Sequence, residues 1–550
     1  DWPIELLRAA MLLALPRMFA AVASNRACRS SKLPPSIREA ALRKTSMSFC
    51  TGVIQDCAIL SRSDATESRT LDRALYSGPR PAPDGTPQLP PLAASRAIWL
   101  SDHETTLSNC SLTASRRAAT TALAALPGLA FAQETAAETP DITPYIFTTL
   151  LFLIGGFLVF WMAAGFAMLE AGLVRSKNVT MQLTKNVALF SIAAIMYWLI
   201  GFNLMYPGDG WLITGVMGPL FAVTSLEPVG LGADAAALDY ASAGSDFFFQ
   251  LMFCATTASI VSGTLAERIK LWPFLIFVAI LTGVIYPIEA SWQWGGGFLS
   301  EMGFSDFAGS TLVHAAGGFA ALAGALILGP RIGKYKEGRV IPMPGSNLAL
   351  ATLGTFILWL GWFGFNGGSQ LAAGTVGDVT DVSRIFANTN MAAAAGAVTA
   401  LILTQILFKK PDLTMVLNGA LAGLVSITAG PLDPTLFGAL WIGAVGGVIV
   451  VFTVPMLDKM KIDDVVGAIP VHLLAGLWGT FAVPFYTADT SFVTQIIGFA
   501  IIGAFTFIVS GIVWLILKAT MGIRVTEEDE INGLDMAELG MEAYPEFKAG

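Results

Sequence analysis

Two histidines lie in matching sequence contexts, and their rings could carry protons through an apolar part of the chain. His314 ends the stretch Asp306-Phe-Ala-Gly-Ser-Thr-Leu-Val-His, and His472 ends Asp464-Val-Val-Gly-Ala-Ile-Pro-Val-His. Both read D-x-x-G-x-x-x-V-H. Ionisable residues inside a membrane span are costly and usually belong to a substrate pathway or a proton relay. The alternative is that the rings only hydrogen-bond neighbouring helices, and the matched contexts favour the pathway.

The composition places these histidines in a membrane protein. The chain has 550 residues, of which 54% are hydrophobic and 13% charged, with a mean hydropathy of +0.64. Soluble domains carry about 25% charged residues, so a chain crossing the membrane many times is predicted. The net charge of −8 offers no basic patch for nucleic acid. No Cys/His spacing predicts a metal site, and no cofactor is expected.

Apolar segments recur from Tyr145 onward and predict an all-α integral membrane fold with eleven transmembrane helices. A span needs about 20 apolar residues. The segments lie near 146–174, 187–206, 246–265, 271–290, 310–329, 347–366, 385–408, 413–430, 434–457, 465–486 and 491–518. The eighth is rich in glycine and is the weakest of them.

Basic residues fix the predicted orientation. Lys and Arg follow the odd-numbered spans: Arg175, Lys177, Lys185, Arg268, Lys270, Arg331, Lys334, Lys336, Arg339, Lys409, Lys410, Lys459, Lys461 and Arg524. The alternate loops are nearly free of them. Since basic loops stay in the cytoplasm, the N-terminus is predicted outside and the C-terminus inside.

The two matching stretches predict an inverted repeat. Five spans separate them, and an odd number inverts the second copy, which gives two five-helix repeats plus one extra helix. Asp306 then lies at the outer end of span five and Asp464 at the inner end of span ten. Each histidine is eight residues deeper, about 12 Å along a helix, in a hydrocarbon core about 30 Å thick. We therefore expect the two rings to meet near the midplane.

The first 132 residues are predicted to stand apart from this domain. Arg116-Arg117, an apolar stretch over 118–129 and Ala130-Phe131-Ala132 have the order of a secretory signal peptide. We assign it to 111–132, with the mature chain starting at or near Gln133. A signal peptide lies near the true N-terminus, so residues 1–110 are expected to be mistranslated upstream sequence or a disordered extension. The membrane domain is then 133–518, and 519–550 form a cytoplasmic regulatory tail.

Several motifs resemble the ammonium transporter family (Amt/Mep/Rh), in its bacterial Amt form, over about 145–545. They are Leu265-Ala-Glu-Arg-Ile269, Trp294-Gly-Gly-Gly297, the stretch from Asp306 through Gly329-Pro-Arg331, and Gly361-Trp-Phe-Gly-Phe-Asn366. The resemblance implies a function in ammonium or ammonia transport across a bacterial inner membrane, without enzymatic activity.

The resemblance also implies site residues. An outer recruitment site would use Trp294 and Ser369, a phenylalanine gate would use Phe253 and Phe365, Asp306 would orient the outer site, and His314 and His472 would line the pore. A cation over a Trp face gains roughly 0.5–2 kcal/mol, and a hydroxyl can accept a hydrogen bond from NH4+. In the family, NH4+ is deprotonated above the gate and NH3 passes, while the proton takes a separate or linked route through the histidines.

The same resemblance implies a homotrimer in the lipid bilayer and a PII signalling protein as a partner of the tail. Leu473, Gly467 and Leu539 depart from the family pattern, and these departures concern cytoplasmic details. Two other functions compete with transport. An ammonium sensor of the same fold often carries a further signalling domain, and only about 30 residues follow the last span. Rh-type gas channels typically lack the recruitment Trp and Ser, which this chain has.

Overall fold

Long helices make up most of the chain, because apolar side chains recur over whole segments with few charges. The computed structural model describes residues 142–221, 223–224 and 240–546. The predicted signal peptide and the segment before it lie outside the described residues. The main helices are α1 Thr143–Leu173, α2 Ser176–Met205, α3 Ala243–Thr264, α4 Leu271–Ser291, α5 Ser310–Leu328, α6 Leu348–Gly368, α7 Val376–Phe408, α8 Leu413–Ile427, α9 Leu436–Lys459, α10 Ile469–Phe485 and α11 Phe492–Thr520.

Nine of these helices, counted over the described residues, are long and apolar enough to cross a membrane; α8 and α10 are apolar but shorter. The 15 residues of α8 extend about 22 Å, less than the roughly 30 Å of a hydrocarbon core. Large apolar side chains such as Phe157, Phe356 and Phe437 are 62%, 62% and 75% exposed, as expected for helix faces turned to lipid. The multi-pass, predominantly helical fold is confirmed, and the count of eleven spans stays a prediction.

Two helices begin earlier than their apolar patterns suggested. Helix α2 begins at Ser176 rather than near 187, and α7 begins at Val376 rather than near 385. The first three turns of α7 contain Asp378, Asp381 and Arg384, and the helix begins at a capping box, in which Thr375 Oγ1 accepts from Asp378 N at 3.1 Å and Asp378 Oδ2 accepts from Thr375 N at 2.9 Å. Hydropathy alone misses such charged starts, because capping supports a helix without a continuous apolar run.

The two halves of the predicted repeat start their histidine helices in the same way. Gly309 (φ 102°) precedes a π-helical turn over Ser310–Ala315 in α5, and Gly467 (φ 81°) comes shortly before a π-helical turn over Ile469–Leu474 in α10. Glycine suits this backbone because a Cβ disfavours positive φ. The sequence repeat is therefore also a repeat of local structure.

A buried ionic cluster joins the loops at the basic end of the helices. Asp463 accepts from Arg331 Nε at 2.8 Å, Nη2 at 2.9 Å and backbone N at 2.8 Å, and Glu267 accepts from Arg331 Nη1 at 3.2 Å. Burial alone would raise the pKa of the Asp463 carboxyl, but the hydrogen bonds and charge of Arg331 hold that pKa well below its ordinary value. This cluster ties the loop before α10 to the loop after α5.

The tail packs at the same end. It contains α12 Glu527–Asn532 and a π-helical turn over Asp535–Leu539. The Asp535 carboxylate accepts from Thr180 N at 3.0 Å and Met181 N at 2.7 Å, at the start of α2. A short hairpin of β1 Tyr335–Lys336 and β2 Arg339–Val340 lies between α5 and α6, and a four-residue helix, Phe298–Glu301, precedes α5.

Candidate functional site

The structure places the two histidines in direct contact. His314 lies in the first turn of α5 and His472 in the first turn of α10, and they are 0% and 4% exposed. Their Nδ1 atoms are 3.2 Å apart, and the ring centroids are 5.2 Å apart at an interplanar angle of 25°. One ring must donate and the other accept, so the tautomers of the pair are coupled.

Aromatic rings line one side of His314. Its ring stacks on Trp362 at 4.9 Å and on Phe365 at 5.2 Å between centroids. The indole of Trp362 is held by a hydrogen bond from Nε1 to Thr428 Oγ1 at 2.8 Å. Among the described residues, His314 Nε2 has no hydrogen-bond partner. The pair thus presents a free ring nitrogen within a largely apolar passage.

Two phenylalanines close this passage beyond His314. The ring centroids of Phe253 and Phe365 are 4.1 Å apart, and the side chains are 1% and 0% exposed. Since Phe365 also stacks on His314, the gate rests directly on the histidine pair. No space for a hydrated ion lies between two rings at this distance.

The predicted outer site is next to the gate. The Trp294 ring meets Phe253 edge-on, with centroids 5.9 Å apart at 86°. Ser369 directly follows α6, and its Oγ donates to the carbonyl of Phe365 at 2.8 Å, which leaves the oxygen able to accept. The ring contacts run from Trp294 through Phe253 and Phe365 to the histidines, with Ser369 bonded to the same phenylalanine.

Asp306 is turned toward the backbone and not toward this pathway. Its Oδ1 accepts from the N–H groups of Gly309 at 3.1 Å and Ser310 at 2.8 Å, and its Oδ2 accepts from Thr311 at 2.7 Å and Leu312 at 2.9 Å. Its own carbonyl accepts from Trp294 Nε1 at 3.0 Å. Asp306 therefore fixes both the start of α5 and the position of the indole.

Asp464 has the equivalent position at α10. Its Oδ2 accepts from Ile469 N at 2.7 Å, and its Oδ1 accepts from Gly467 N at 3.2 Å and Thr264 Oγ1 at 3.1 Å. The two aspartates thus cap the two histidine helices alike, which explains why the repeated motif begins with Asp.

Comparison with known proteins identifies the family. The model of the Ammonium Transporter Family matches residues 150–544. The chain belongs to the ammonium transporter family. It is 43% identical to ammonium transporter Amt2 of Archaeoglobus fulgidus over 446 residues, which cover 75% of this chain and 91% of the relative. It is 38% identical to ammonium transporter Amt1 of Haloferax mediterranei, covering 72% and 78% of the two chains.

Solved structures of the family share the fold. A structure described as a sensor Amt protein aligns with a TM-score of 0.66 at 35% identity and covers 71% of this chain and 98% of its own. Candida albicans Mep2 aligns with a TM-score of 0.62 at 27% identity, covering 72% and 90%.

Two cavities lie beyond His472 in this ammonium transporter family member. The inner one, about 10 Å³, is lined by His472, Phe166, Glu170, Ser259 and Asn418, among others. A larger vestibule of about 380 Å³ shares Asn418, Val466 and Gly467 with it and is also lined by Asp458 and Asp464. The two spaces adjoin, so the inner cavity separates the histidine pair from the vestibule.

Sequence reasoning missed two residues of this region. Trp362 lies inside a motif already noticed, and its position three before Phe365 on one helix could have marked it as a neighbour of the gate. Glu170 carries a stronger signal, because a carboxylate inside an apolar span is unusual. Over the described ranges, no group of three or more His, Cys, Asp or Glu side chains could hold a metal ion.

Proposed function

We propose that this chain transports ammonium, taking NH4+ at the outer site of Trp294 and Ser369 and passing NH3 along the histidine pair. One observation supports this most: an unbroken series of ring contacts leads from Trp294 through the closed phenylalanines to His314 and His472. The names of the relatives and the family model agree with this substrate.

The outer site selects NH4+ by charge and hydrogen bonding. The Trp294 face attracts a cation by about 0.5–2 kcal/mol, depending on hydration. Ser369 Oγ accepts a hydrogen bond that K+ cannot supply, which distinguishes two cations of similar size. Asp306 contributes by holding the indole and the start of α5, and not by taking the proton, because both of its oxygens are occupied by backbone N–H groups.

The gate requires that the substrate cross it without charge. Rings 4.1 Å apart must separate to admit even a small molecule, and an ion would lose its water in an apolar slot. The cost of burying an unpaired charge is far larger than that of burying a small neutral solute. NH4+ therefore gives up its proton to solvent water above the gate, and NH3 crosses.

The histidine pair supplies polar contacts below the gate. Neutral imidazole can accept from or donate to NH3, and rings linked at 3.2 Å can pass a proton from one to the other. The proton thus follows a route linked to or separate from that of NH3, and both end at the inner cavity.

The membrane arrangement is part of the proposal. Eleven helices cross a bacterial inner membrane with the N-terminus outside, α8 and α10 being the short members, and two inverted five-helix repeats meet at the histidines. The matching positions of Asp306 and Asp464, each accepting backbone N–H groups at the start of a histidine helix, support this symmetry. Three chains form a homotrimer with one pore each, and the tail at 519–550 receives a PII signalling protein. Cleavage before Gln133 releases the mature chain.

A second candidate function is ammonium sensing. The similarity to a sensor Amt protein is the observation that favours it. A sensor would bind ammonium at the same outer site without passing it at a useful rate, so flux separates the two functions.

The test is flux into liposomes that contain the purified protein and a trapped pH-sensitive dye. On an ammonium gradient we expect a faster internal pH change than in empty liposomes, and no response to an equal K+ gradient. A rate equal to that of empty liposomes, with ammonium binding retained, would reject transport and favour the sensor.

A further inference from the structure

A membrane-embedded carboxylate lies directly beyond the histidine pair. Glu170, near the end of α1, is 1% exposed. Its Oε2 accepts from Asn186 Nδ2 at 2.6 Å, from Ser262 Oγ at 3.1 Å and from Gln182 Nε2. Three donors from two other helices on a single oxygen hold the side chain in one position.

The second carboxylate oxygen is left for another partner. The hydrogen bonds from Asn186, Ser262 and Gln182 all go to Oε2, and none of them goes to Oε1. A carboxylate can accept about four hydrogen bonds, and the three donors described above all bond Oε2. Oε1 can therefore accept a hydrogen bond from a molecule that is not part of the protein.

A buried lysine shares a hydrogen-bonding partner with this carboxylate. Lys185 is 1% exposed, and its Nζ donates to Ser262 O at 3.0 Å and lies 4.7 Å from the centre of the Phe274 ring. Ser262 thus bonds both side chains, through its hydroxyl to Glu170 and through its carbonyl to Lys185. The positive charge of Lys185, held in the same hydrogen-bond network, favours an ionised Glu170 inside the membrane, because buried charges require compensation.

Glu170 and His472 line the same cavity, together with Ser259 and Asn418. The volume of about 10 Å³ is close to the roughly 10–15 Å³ that a single water needs. Ammonia and ammonium are of similar size to water. The cavity therefore has room for one substrate molecule between the inner histidine and the carboxylate.

We propose that Glu170 forms an inner ammonium-binding site, where NH3 that has passed His472 regains a proton and is held as NH4+ before it enters the vestibule. The inference rests on the proposed transport function and adds a residue and a site to it. The site is the inner counterpart of Trp294 and Ser369, with a carboxylate where the outer site has an indole.

The proton balance of this site is complete. A proton released from NH4+ above the gate passes the histidine pair and binds Glu170 Oε1. The O–H bond then breaks as an N–H bond forms to the lone pair of NH3, which restores the carboxylate and leaves NH4+ beside it. The ion departs through the adjoining vestibule of about 380 Å³, whose charged lining residues are Asp412, Asp458, Asp464, Arg331 and Lys334.

The test uses Glu170→Gln in the full chain, because Gln keeps the size of the side chain and an acceptor for Asn186. In liposomes we expect its ammonium-evoked current to fall about tenfold or more below wild type, as for loss of a group that transfers protons. Infrared difference spectra during ammonium perfusion should show a carboxylate band in the wild type that Glu170→Gln lacks.

Glu289→Gln is the matched control. Glu289 is also fully buried in a membrane helix, α4, and lines neither cavity, so this variant should keep the wild-type current and the infrared band. Size-exclusion chromatography must show the same assembly for every variant.

A second variant, Ser259→Leu, fills the cavity without changing the carboxylate, and we expect it to remove both the current and the band. If it and Glu170→Gln assemble correctly and keep both signals, the inner site is refuted while transport stands. If Glu170→Gln does not assemble, Ser259→Leu decides alone. If the wild type shows no current but still shows the infrared band that Glu170→Gln lacks, transport is rejected and the inner binding site stands.

Discussion

Replacing Asp306 with Asn should destabilise the protein more than the same change at Asp464. Each oxygen of Asp306 accepts two backbone N–H groups at the start of α5. In Asn one oxygen becomes an NH2 group, which cannot accept and faces two donors. Two buried N–H groups are then left unsatisfied, at about 1–3 kcal/mol each, which gives about 2–6 kcal/mol.

The matched change at Asp464 should cost about half as much. Its carboxylate accepts from two backbone N–H groups and one hydroxyl. Asn can keep its oxygen toward Ile469 N and direct its NH2 toward the hydroxyl of Thr264, which is able to accept. Only one buried N–H group loses its partner, so we expect about 1–3 kcal/mol.

The assay is equilibrium unfolding of both variants in mixed micelles with increasing dodecyl sulfate, followed by Trp fluorescence. Asp306→Asn should also raise the ammonium concentration at half-maximal current, because the carbonyl of Asp306 holds the Trp294 indole. Equal unfolding free energies for the two variants, or an Asp306→Asn variant as stable as wild type, would refute the capping role of the Asp306 carboxylate.

Three further predictions follow from the outer site, the ionic cluster and the tail. Trp294→Leu and Ser369→Ala should each weaken ammonium capture by about 1 kcal/mol, which uptake at limiting ammonium measures, and an unchanged double variant would reject the recruitment site. Asp463→Asn should lose about 3–5 kcal/mol of stability because it breaks a buried ion pair and leaves Arg331 with Glu267 as its remaining carboxylate partner, whereas Asp458→Asn, at a partly exposed pair, should lose about 0–1 kcal/mol. The pKa of Asp463 is lower in the folded state, so its ionised carboxylate adds to the free energy of unfolding above the unfolded pKa of about 3.9. This stabilisation is lost as the pH falls from that value toward the lower folded-state pKa. The thermal unfolding temperature should therefore depend less on pH, between about pH 6 and pH 3, in Asp463→Asn than in wild type. Asp535→Asn should free the tail from α2, detected as faster proteolysis after residue 520, and unchanged proteolysis would show that its two backbone contacts do not hold the tail.

Much of the membrane fold could be predicted because apolar length is a local property of sequence. The apolar part of nearly every main helix was located within a few residues, since each depends only on its own composition. Sequence patterns do not reveal the polar first turns of a helix when their hydrogen-bond partners lie on other helices. The first turns of α2 contain Gln182, Lys185 and Asn186, which look like loop residues. In the fold, Glu170 on α1 accepts from Gln182 and Asn186, and Ser262 on α3 accepts from Lys185.

The candidate site could be predicted where the sequence repeats. The shared D-x-x-G-x-x-x-V-H motif predicted that His314 and His472 meet, because a motif repeated after an odd number of spans places its copies at matching depths. The roles of Trp294, Ser369, Phe253 and Phe365 came from family resemblance, since a single aromatic residue carries no positional information. The partner of Arg331 could not be found, because Asp463 lies 132 residues away and no motif links the two.

The current evoked by an ammonium pulse, compared between the wild type and the His314→Leu/His472→Leu double variant in liposomes, tests the central claim most directly. Leu preserves volume and removes the hydrogen-bonded ring nitrogens, so an apolar barrier to protons and to charged ammonium remains. With equal assembly by size-exclusion chromatography, we predict a wild-type current and none from the double variant. A correctly assembled double variant that passes the wild-type current would show that the histidines pack the core and do not form the pathway.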